Sequence, residues 1–541
     1  MASRNILVAV AWPYASGSLH LGHIAGAYLP ADIFAKYHRL AGNKVLMVSG
    51  SDVHGTPITV RADEQGVTPQ EIVDRFHPEF LEYWRALSIS FDLFTTTGTD
   101  NHRAVAQDMF LRLRENGFMY RHTTEQAYDE TAGRFLPDRY VEGTCPHCGY
   151  GEARGDQCDN CGRTLDAVDL IDPKSKLTGT TPVQRETEHY FFKLSAFQEP
   201  LTEWLKTRQG WRKAVQNWAA GFVEEGLHDR AFTRDMDWGI PLPVDDLGPG
   251  KVIYVWWEAV MGYLSAAKEW AQIQGTPDAW KDWWENPEAE TYYFIGKDNI
   301  PFHAVYWPAL LMGYEGLNLP TNVPANQYVT FGGEKASKSR SVGDAVLGYL
   351  ESYQPDGIRY ALAASMPEQD DTDLTEGEIV RRINDELVAN WGNLVNRVLS
   401  MTKQYFSGVT PKAELADKDR KVLDDMTAAI VECGEHIEAV RLKAGLNTAL
   451  AAAQQVNAYL SEAEPWKTAK REEELTAATL YTAVNAIAAI NLMMAPYLPF
   501  GADKVWLALG VEPSGWQAPE VEAGVKLGDP GPIFQKADLL R

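Results

Sequence analysis

The chain has 541 residues, a formal net charge of −24, and hydrophobic and charged fractions of 45% and 23%. That length exceeds one ordinary hydrophobic core, so roughly two to four domains are expected in a soluble globular protein. The acidic charge argues against loose, sequence-blind binding to nucleic acid, although an RNA held by a local basic patch is still compatible with it.

Strands and helices alternate at the start of the chain. Three segments predict a buried strand, a helix and a second buried strand, in that order: residues 4–11, 24–42 and 44–50. A further helix is expected after Thr68, because Thr68 can cap it, Pro69 suits its first turn and Glu71 completes a capping box. Continuous apolar strands between helices indicate a parallel sheet covered on both faces.

The segment PYASGSLHLGH, residues 13–23, joins the first predicted strand to the first predicted helix. In an open α/β sheet this junction lies at the carboxyl edge of the strands, where ligands bind, and a helix N-terminus attracts phosphate. Gly22 allows a close backbone approach, and His20 and His23 can donate hydrogen bonds to phosphate oxygens. A structural role for the two histidines is equally compatible with this segment taken alone.

The alternation stops between residues 116 and 230, where turns, aromatic residues and a cysteine cluster replace it. It resumes in two stretches, 251–264 and 291–311, so the middle segment is interpreted as an insertion into one α/β domain. From about residue 380 onward, apolar residues at helical spacing predict a helical bundle. The acidic segment 367–378 is expected to be a solvated connector.

Four of the five cysteines form two C-x-x-C pairs: Cys145 with Cys148, and Cys158 with Cys161. Two such pairs supply four thiolates, which complete a tetrahedral zinc shell and leave no position for a reacting water. A structural zinc ion is therefore predicted, with two disulfides as the alternative. Cys433 is isolated and is expected to be buried in the core.

A second glycine-rich segment, VTFGGEKASKSRSVG, spans residues 329–343. Its two glycines precede Lys335 and Lys338, with Ser337 between the lysines. Compact positive charge on such a loop suits a triphosphate whose pyrophosphate leaves. A solvated basic loop is the alternative for this segment alone, but the histidine and lysine segments together predict an ATP site.

These two segments match the HIGH and KMSKS elements of the class I aminoacyl-tRNA synthetases, in the right order and at a wide separation. Within that class the chain resembles the methionyl-tRNA synthetase family over nearly its whole length. The resemblance is carried by AWPYASG, GSDVHGTPI, the four-cysteine insertion, TRDMDWGIPLP, YVWWEAVMGYL, FIGKDNIPFH and EPWK.

The resemblance and the patterns agree on an α/β fold: a Rossmann-like parallel sheet split by a zinc-containing insertion and followed by an all-α helical-bundle domain. The catalytic domain is expected in two halves, 1–115 and 231–325, with the insertion and its zinc knuckles at 116–230. A region with the lysine loop and a stem contact is expected at 326–380. The helical anticodon-binding domain is expected at 381–541.

The resemblance implies a ligase of protein biosynthesis. It activates L-methionine with ATP to methionyl-adenylate and transfers the methionyl group to the 3′-terminal adenosine of tRNA(Met), elongator and initiator. Because the methionine carboxylate attacks the α-phosphate directly, positioning and charge stabilisation are expected to dominate. The residues implied as catalytic are His20, His23, Lys335 and Lys338, and those implied for ATP binding are these four with Gly22, Asp298 and Ser337.

Methionine is expected to meet two kinds of contact. Asp52 matches the position that binds the ammonium group, and polarizable aromatic walls suit the thioether. The residues implied for methionine binding are Trp12, Tyr14, Asp52, Trp256, Ala259, Val260, Tyr263 and His303. Tyr14 and His303 can hydrogen-bond near the sulfur, which would help to reject aliphatic rivals. Core packing is the alternative for the tryptophans.

Three residues near the pocket depart from the family: Trp12, Val260 and Asn299 stand where leucine, proline and isoleucine are common. Ala336 replaces the methionine of the KMSKS element. The pocket departures bear on its shape, and Ala336 bears on how the loop packs.

The helical domain is expected to read the CAU anticodon through four residues: Asn393, Arg397, Pro465 and Trp466. An indole can stack on an unstacked base, and an arginine can bind base edges. A helix start explains Pro465 equally well.

The resemblance also implies one structural Zn²⁺, and Mg²⁺ with ATP. The expected partners are ATP, L-methionine and tRNA(Met), without a membrane. A monomer is expected, because the sequence offers no appended tRNA-binding or dimerisation module. A cytoplasmic location is expected, because the cysteine pattern suits a metal site in a reducing compartment.

Other functions share parts of this pattern. A cysteine-activating synthetase would keep an open zinc site, and the aliphatic-specific synthetases would need a much longer insertion. A nucleotidyltransferase could use the same H-x-G-H phosphate site, but the helical domain with Trp466 disfavours it. A non-catalytic zinc-containing RNA-binding protein is disfavoured by the intact histidine and lysine pairs.

Overall fold

The computed structural model describes residues 3–163, 165–331, 334–335 and 346–539. A five-stranded parallel sheet lies at its centre, which confirms the predicted fold class. In spatial order the strands are Ala325–Asn326, Glu290–Gly296, Asn5–Val10, Lys44–Ser51 and Leu93–Thr96.

The strand Asn5–Val10 is buried on both faces, which explains its unbroken apolar run. Leu7 and Ala9 pack on one side, whereas the alternate residues pack on the other side in a core shared with the helical domain. The next strand along the chain lies on one edge of Asn5–Val10, and a strand from the second half, Glu290–Gly296, lies on the other edge. The strand order therefore reverses here, and such a reversal opens a crevice at the carboxyl ends of the strands.

The helix after the first strand begins at Leu21, before the predicted start at residue 24. It runs through Leu21–His23, a π-helical turn Ile24–Tyr28, and Leu29–Leu40. The capping box of the helix Pro69–Ala86 is confirmed: the Thr68 hydroxyl accepts from the Glu71 N–H at 3.3 Å, and the Glu71 carboxylate accepts from the Thr68 N–H at 2.8 Å. The other helices of the two halves are Thr56–Gln65, Asp100–Glu115, Val255–Ile273, Lys281–Trp284, the π-helical Phe302–Tyr306, and Trp307–Tyr314.

The insertion between the halves has no parallel strand pairs in the part that the structure describes. One antiparallel sheet has the order Arg230–Ala231, Val183–Phe192, Met119–Asp129 and Arg134–Phe135. A smaller sheet has the order Ala153–Arg154, Val141–Thr144 and Ile171–Ser175. Two helices, Gln198–Lys206 and Lys213–Glu224, lie in the chain between the strands Val183–Phe192 and Arg230–Ala231. A hairpin of short strands, Thr233–Asp235 and Lys251–Ile253, leads back to the sheet domain.

The predicted helical bundle is confirmed. Short helices Val346–Ser352, Pro355–Ala364 and Glu376–Arg381 lead into it. Its members are Arg382–Gly392 (π-helical), Asn393–Phe406, Asp417–Glu438, Leu442–Ala463, Pro465–Thr468, Glu473–Met494 and Pro499–Leu509. Cys433 is fully buried there, as expected.

One helix of the bundle, Glu473–Met494, is the only described helix long and apolar enough to cross a membrane. Its most apolar window is 89% buried inside the protein, so it is a core helix of the bundle. After Leu509 the described chain is irregular and runs back over the bundle, where Val521 and Phe534 are buried.

The predicted connector at residues 367–378 exposes Asp370, Asp371 and Asp373 to solvent, as expected, but backbone pairing also holds its middle in place. Thr372–Asp373 pairs in parallel with the strand Val329–Phe331. The carboxylate of Asp371 accepts from the Tyr328 N–H at 2.8 Å and pairs with Lys297 at 2.7 Å. The donors to Asp371 are distant in sequence, and together with the strand pairing they fasten this exposed segment beside the start of the lysine loop.

Candidate active site

A cleft of about 800 Å³ opens at the carboxyl end of the strand Asn5–Val10 and is lined by both halves and by the insertion. It brings together every predicted ATP and methionine residue outside the lysine loop: Trp12, Tyr14, His20, Gly22, His23, Asp52, Trp256, Ala259, Val260, Tyr263, Asp298 and His303. Residues far apart in sequence therefore form one site.

Backbone pairing between two neighbouring strands holds Tyr14 and Asp52 together. The pair forms a parallel bridge beyond the ends of the strands, with the Ala15 N–H donating to the Asp52 carbonyl at 3.0 Å and the Asp52 N–H donating to the Pro13 carbonyl at 2.9 Å. A Cβ on Gly55 would lie 2.1 Å from the Tyr14 ring, so glycine is needed for this close approach.

A buried cluster of charged groups surrounds Asp52, which is only 2% exposed. Burial, and then the neighbouring Glu258 carboxylate, raise the pKa of Asp52 to about 8. Glu258 is fully buried and bonds His54 Nδ1, with His102 Nε2 at 3.5 Å on its other side. Burial opposes the charged form of His54, but the contacts with Glu258 and Asp52 outweigh it and raise the pKa of His54. A cationic group bound beside Asp52 would therefore stabilise its carboxylate against burial and against the charge of Glu258.

Aromatic rings form the opposite wall of the cleft. Trp256 stacks on Phe302 with ring centroids 4.2 Å apart, and Tyr14 meets Trp256 edge-on at 6.1 Å. Such rings offer polarizable faces to a thioether. His303 is held behind them on the π-helical turn Phe302–Tyr306, and such turns are frequent at functional sites.

The tautomer of His303 follows from its two partners. Its Nδ1 lies 2.9 Å from the Asn299 carbonyl, which can only accept, so Nδ1 carries the proton. Its Nε2 then accepts from the Tyr263 hydroxyl at 2.7 Å. Burial lowers the pKa of His303 to about 4, which keeps the ring neutral. In this arrangement both ring nitrogens are engaged, so His303 presents no spare N–H to a ligand.

Trp12 fills the space between two glycines at the floor of the cleft. A Cβ on Gly50 would lie 2.1 Å from the indole ring, and a Cβ on Gly262 would lie 2.6 Å from it. The indole N–H is buried and has no hydrogen-bond partner among the described residues. The two glycines explain how this chain accommodates a ring where the family commonly has leucine.

The two histidines of the first signature lie at the start of the helix. His20 precedes Leu21 as the N-cap, and its N–H donates to His23 Nδ1 at 3.2 Å, which leaves the proton of a neutral His23 on Nε2. The ring centroids of the two histidines are 3.7 Å apart. A Cβ on Gly22 would lie 3.0 Å from the His20 ring, so a larger residue would displace that ring. Both rings line the cleft at a helix N-terminus.

Asp298 follows the strand Glu290–Gly296 and lines the same cleft. Its carboxylate accepts from the Tyr328 hydroxyl, and Lys297 lies 3.8 Å above the Tyr328 ring. The short strand Val329–Phe331 continues from there toward the lysine loop, and Phe331 lies 6.4 Å from His20.

The lysine signature is described only at its start. The backbone of Lys335 pairs with Thr330, in an antiparallel bridge to the strand beside the histidines. Ala336, Ser337 and Lys338 lie outside the described residues. The structure therefore brings the beginning of the loop to the end of the cleft that holds His20 and His23.

The four cysteines of the insertion come together as predicted, with all sulfur atoms within 4.8 Å of one another. Cys145 and Cys161 Sγ are 3.9 Å apart, and Cys148 and Cys158 Sγ are 3.6 Å apart. A disulfide needs about 2.05 Å, whereas Zn–S bonds of about 2.3 Å in a tetrahedron place sulfurs about 3.8 Å apart. The disulfide alternative is excluded, and the cluster can hold a metal ion.

Two glycines and an amide support this metal centre. Gly149 and Gly162 adopt positive φ and donate their N–H groups to the carbonyls of Cys145 and Cys158, which closes each knuckle turn. The side-chain amide of Asn160 donates to Cys148 and lowers the pKa of its thiol to about 6, which favours the thiolate that metals bind.

The four predicted anticodon residues belong to two neighbouring helices. Asn393 is exposed at the start of Asn393–Phe406, and Arg397 follows one turn later. Pro465 begins the short helix Pro465–Thr468, and the Trp466 ring is 39% exposed. The Arg397 guanidinium lies 5.8 Å from the centre of the Trp466 ring, so the two are neighbours on one surface.

Sequence reasoning did not identify Phe302, His54 or Tyr328, which contact Trp256, Asp52 and Asp298. It also did not identify Glu258, which acts on Asp52 electrostatically. Glu258 carried a signal, since a carboxylate within the apolar run YVWWEAVMGYL must be paired when buried. Phe302 and Tyr328 carried none, because aromatic residues in apolar segments are usually core.

Comparisons with known proteins agree with this geometry. The family described as tRNA synthetases class I (M) matches residues 6–399, and the anticodon binding domain of methionyl tRNA ligase matches residues 409–540. The methionine–tRNA ligase of Roseiflexus castenholzii is 50% identical over 526 residues, which cover 96% of this chain and 89% of that protein. The methionine–tRNA ligase of Dehalococcoides mccartyi is 48% identical over 541 residues, with 99% and 98% covered.

A solved structure is similar over the full length. The Mycobacterium tuberculosis methionyl-tRNA synthetase bound by methionyl-adenylate superposes with a TM-score of 0.81 at 26% identity, covering 99% of this chain and all of that chain.

Proposed function

This chain belongs to the methionyl-tRNA synthetase family of class I aminoacyl-tRNA synthetases, and from that premise we propose which of its residues carry each step. Its reaction is methionine–tRNA ligation: ATP activates L-methionine to methionyl-adenylate, and the methionyl group passes to the 3′-terminal adenosine of tRNA(Met). The proposal extends to both the elongator and the initiator tRNA. The rival functions raised by the sequence are thereby set aside.

One observation supports the assignment of residues. A single cleft holds the Asp52 carboxylate at one end, aromatic rings along one wall, and His20 and His23 at the other end. The methionine ammonium is proposed to bind Asp52, and its thioether to lie against Tyr14, Trp256 and Tyr263. This places the methionine carboxylate toward the histidine end. Ala259, Val260, Trp12 and His303 complete the shape of the pocket.

ATP is proposed to bind with its phosphates at His20, Gly22 and His23 and its ribose near Asp298. The carboxylate of methionine then attacks the α-phosphate, the bond to the β-phosphate breaks, and pyrophosphate leaves. His20 and His23 stabilise the charge that develops on the phosphate oxygens. Lys335 and Lys338, with Ser337, are proposed to stabilise the departing pyrophosphate, and Mg²⁺ is proposed to enter with ATP.

The helical domain is proposed to bind the anticodon through Asn393, Arg397, Pro465 and Trp466. The support is the exposed Trp466 ring beside the Arg397 guanidinium, because a free indole face can stack on an unstacked base. We also propose a cytoplasmic monomer, with the domain boundaries given above.

The four cysteines are proposed to bind one structural zinc ion. When bound, such an ion closes both knuckle turns and supplies folding free energy to an insertion with a small core of its own. Elemental analysis of the purified chain is expected to give about one zinc per chain, and Cys158→Ser to reduce it sharply. Cys433→Ser is the matched control and should retain the metal.

The experiment that tests the function is amino-acid-dependent exchange of pyrophosphate into ATP, measured with each of the twenty amino acids. Exchange is expected with methionine and at a far lower rate with leucine, isoleucine and norleucine. Lys338→Ala and His20→Ala should lower it, whereas Lys526→Ala, distant from the cleft, should not. Exchange with another amino acid in preference to methionine would contradict the proposal.

A further inference from the structure

Tyr328 contacts two residues that are neighbours in the sequence, Lys297 and Asp298. Its hydroxyl donates to Asp298 Oδ1, and Lys297 Nζ lies 3.8 Å from the centre of its ring. Tyr328 and Asp298 both line the cleft. Asp298 is proposed to meet the ribose of ATP, whereas no step of the proposed reaction uses Tyr328. The tyrosine is therefore a residue of the cleft without an assigned role.

One carboxylate holds Tyr328 and Lys297 together. Asp371 Oδ1 accepts from the Tyr328 N–H at 2.8 Å and from Lys297 Nζ at 2.7 Å. The Tyr328 carbonyl in turn accepts from the Thr372 N–H at 2.9 Å. We call the four residues in mutual contact the tyrosine clamp: Lys297, Asp298, Tyr328 and Asp371. Because the clamp holds the backbone, the ring face and the hydroxyl of Tyr328, the ring has little freedom to turn away from Asp298.

The tyrosine hydroxyl keeps its role as donor in this contact. Burial of the phenol, and then the charge of Asp298, raise the pKa of Tyr328 far above its usual value, so the hydroxyl retains its proton. An ionised carboxylate can only accept hydrogen bonds, and its two oxygens have about four acceptor positions. Donation from Tyr328 to Oδ1 uses one of these positions and fixes the rotation of the carboxylate group. Asp298 is thereby oriented to accept from a ligand hydroxyl as well.

The clamp lies next to the proposed phosphate site. Val329 follows Tyr328 in the chain, and a Cβ on Gly22 would lie 3.7 Å from the Val329 Cβ. The phosphates of ATP are proposed to bind at Gly22 with His20 and His23. Because a single methylene group joins the α-phosphate to the ribose, the ribose must lie close to Val329 and the clamp. Its 2′ and 3′ hydroxyls can donate, and the carboxylate of the clamp is an acceptor suited to them.

We propose that Tyr328 is a positioning residue that sets the ribose selectivity of this enzyme. It fixes Asp298 so that the carboxylate accepts from a ribose hydroxyl of ATP, and a deoxyribonucleotide without that hydroxyl is a poorer substrate. The inference rests on the proposed function and adds a residue that selects ribonucleotide over deoxyribonucleotide. The physical reason is that a site built to bond a substrate hydroxyl rejects the analogue that lacks it, and a hydrogen bond weakens steeply when its geometry is lost.

The test measures methionine-dependent pyrophosphate exchange by the purified full chain with ATP, 2′-deoxy-ATP and 3′-deoxy-ATP. Wild type is expected to prefer ATP over at least one deoxynucleotide by about 10- to 100-fold in kcat/KM, because a hydrogen bond to a charged acceptor is lost. Tyr328→Phe is expected to lower kcat/KM about tenfold for ATP but less than about twofold for that deoxynucleotide. The KM for methionine should change by less than about twofold, since Tyr328 lies at the ATP end of the cleft.

Two matched controls separate this role from a loss of stability. Tyr292→Phe removes a hydroxyl that donates to Glu290 at 2.7 Å, at the opposite end of the strand Glu290–Gly296 from the cleft, and should leave the preference for ATP unchanged. Asp371→Asn removes the charge that binds Lys297 and should reduce the preference in part. Asp370→Asn changes the preceding exposed carboxylate and should not reduce it.

A double-mutant cycle tests whether Tyr328 acts through Asp298. Asp298→Asn by itself is expected to reduce the preference for ATP, and Tyr328→Phe in that background should reduce it little further. If Tyr328→Phe has its full effect without the carboxylate, the tyrosine acts on ATP directly and the inference is overturned. An equal fall in kcat/KM for all three nucleotides in Tyr328→Phe would assign it a merely structural role and would overturn the inference as well.

Failure of the inference and failure of the proposed function give different results. If Asp298→Asn reduces the preference for ATP and Tyr328→Phe does not, only the inference about Tyr328 fails. If wild type uses ATP and both deoxynucleotides equally, the ribose contact is absent and the inference fails, while methionine activation stands. If wild type shows no methionine-dependent exchange with ATP, the proposed function itself fails.

Discussion

The Tyr263 hydroxyl donates to Nε2 of His303 at 2.7 Å, while Nδ1 of the same ring donates to a backbone carbonyl. Both residues are buried, and the pair forms the innermost wall of the proposed methionine pocket. His303 is therefore neutral, and both of its ring nitrogens are already hydrogen-bonded. The polar group that this wall can offer to a ligand is the hydroxyl of Tyr263.

Tyr263→Phe is expected to weaken methionine binding and to lower stability. The change leaves His303 Nε2 as a buried acceptor without a donor, which costs about 1–3 kcal/mol. The KM for methionine in pyrophosphate exchange is expected to rise about tenfold. Tyr293→Phe is the control: its hydroxyl accepts from Trp307 at 3.0 Å behind the pocket, so its loss should lower stability without raising KM. Equal KM effects of the two variants would contradict the prediction.

Methionine binding is expected to release a proton at neutral pH. The pKa of Asp52 is raised to about 8, so without ligand its carboxyl is largely protonated at pH 7, whereas the ammonium group needs the carboxylate. As pH rises toward 8, more of the carboxyl is ionised, so kcat/KM for methionine should increase between pH 6 and 8. Calorimetry in buffers of different ionisation enthalpy measures the proton directly.

The same shift has a consequence for the stability of the ligand-free protein. The pKa of Asp52 is higher in the folded protein than the value of about 3.9 in the unfolded chain. Its contribution to the free energy of unfolding is therefore fully present below about pH 3.9 and is lost as pH rises through about 8. Asp52→Asn should remove the pH dependence between pH 6 and 8 both of kcat/KM for methionine and of the free energy of unfolding. If Asp52→Asn keeps the wild-type pH dependence, a group other than Asp52 is responsible for it and the prediction is wrong.

Gly262 and Trp12 are expected to be energetically coupled. The Cβ of Gly262→Ala would lie 2.6 Å from the indole ring, and such overpacking typically costs about 1–3 kcal/mol of unfolding free energy. Trp12→Leu in the same chain should relieve most of that cost, as measured by urea unfolding in a double-mutant cycle.

Gly50→Ala provides the matched control for that cycle. Its Cβ would meet the Thr95 carbonyl at 2.5 Å as well as the indole, so removal of the indole should not rescue it fully. Equal rescue of both alanine variants by Trp12→Leu would show that the backbone clash is unimportant.

Trp466→Ala is expected to lower aminoacylation without lowering activation. Loss of one base-stacking surface costs about 1–3 kcal/mol, so kcat/KM for tRNA should fall about 10- to 100-fold while exchange is unchanged. Arg397→Ala should act in the same direction, since its guanidinium neighbours the indole. Trp218→Ala, which removes another half-exposed tryptophan outside this surface, should leave the tRNA parameters much closer to wild type.

The sequence correctly predicted those features of the fold that depend on residues only a few positions apart. The apolar run of Asn5–Val10, the capping box at Thr68 and the two cysteine pairs each follow from residues a few positions apart, and the structure has all three. The exposure of the acidic connector was predicted, but its attachment was not, because the donors to Asp371 come from Tyr328 and Lys297, which are distant in sequence.

The sequence by itself determined the class of fold and the cysteine cluster, because side-chain identity and short-range spacing decide those. Its family resemblance indicated the residues that are proposed to bear the chemistry. Only the tertiary structure decided how these residues act on one another. The His303 tautomer, the high pKa of Asp52 and the slot for Trp12 each depend on groups such as Tyr263, Glu258 and Gly262, brought close by packing. Electrostatic and packing energies depend on distances in space, and the spacing of residues along the chain does not contain those distances.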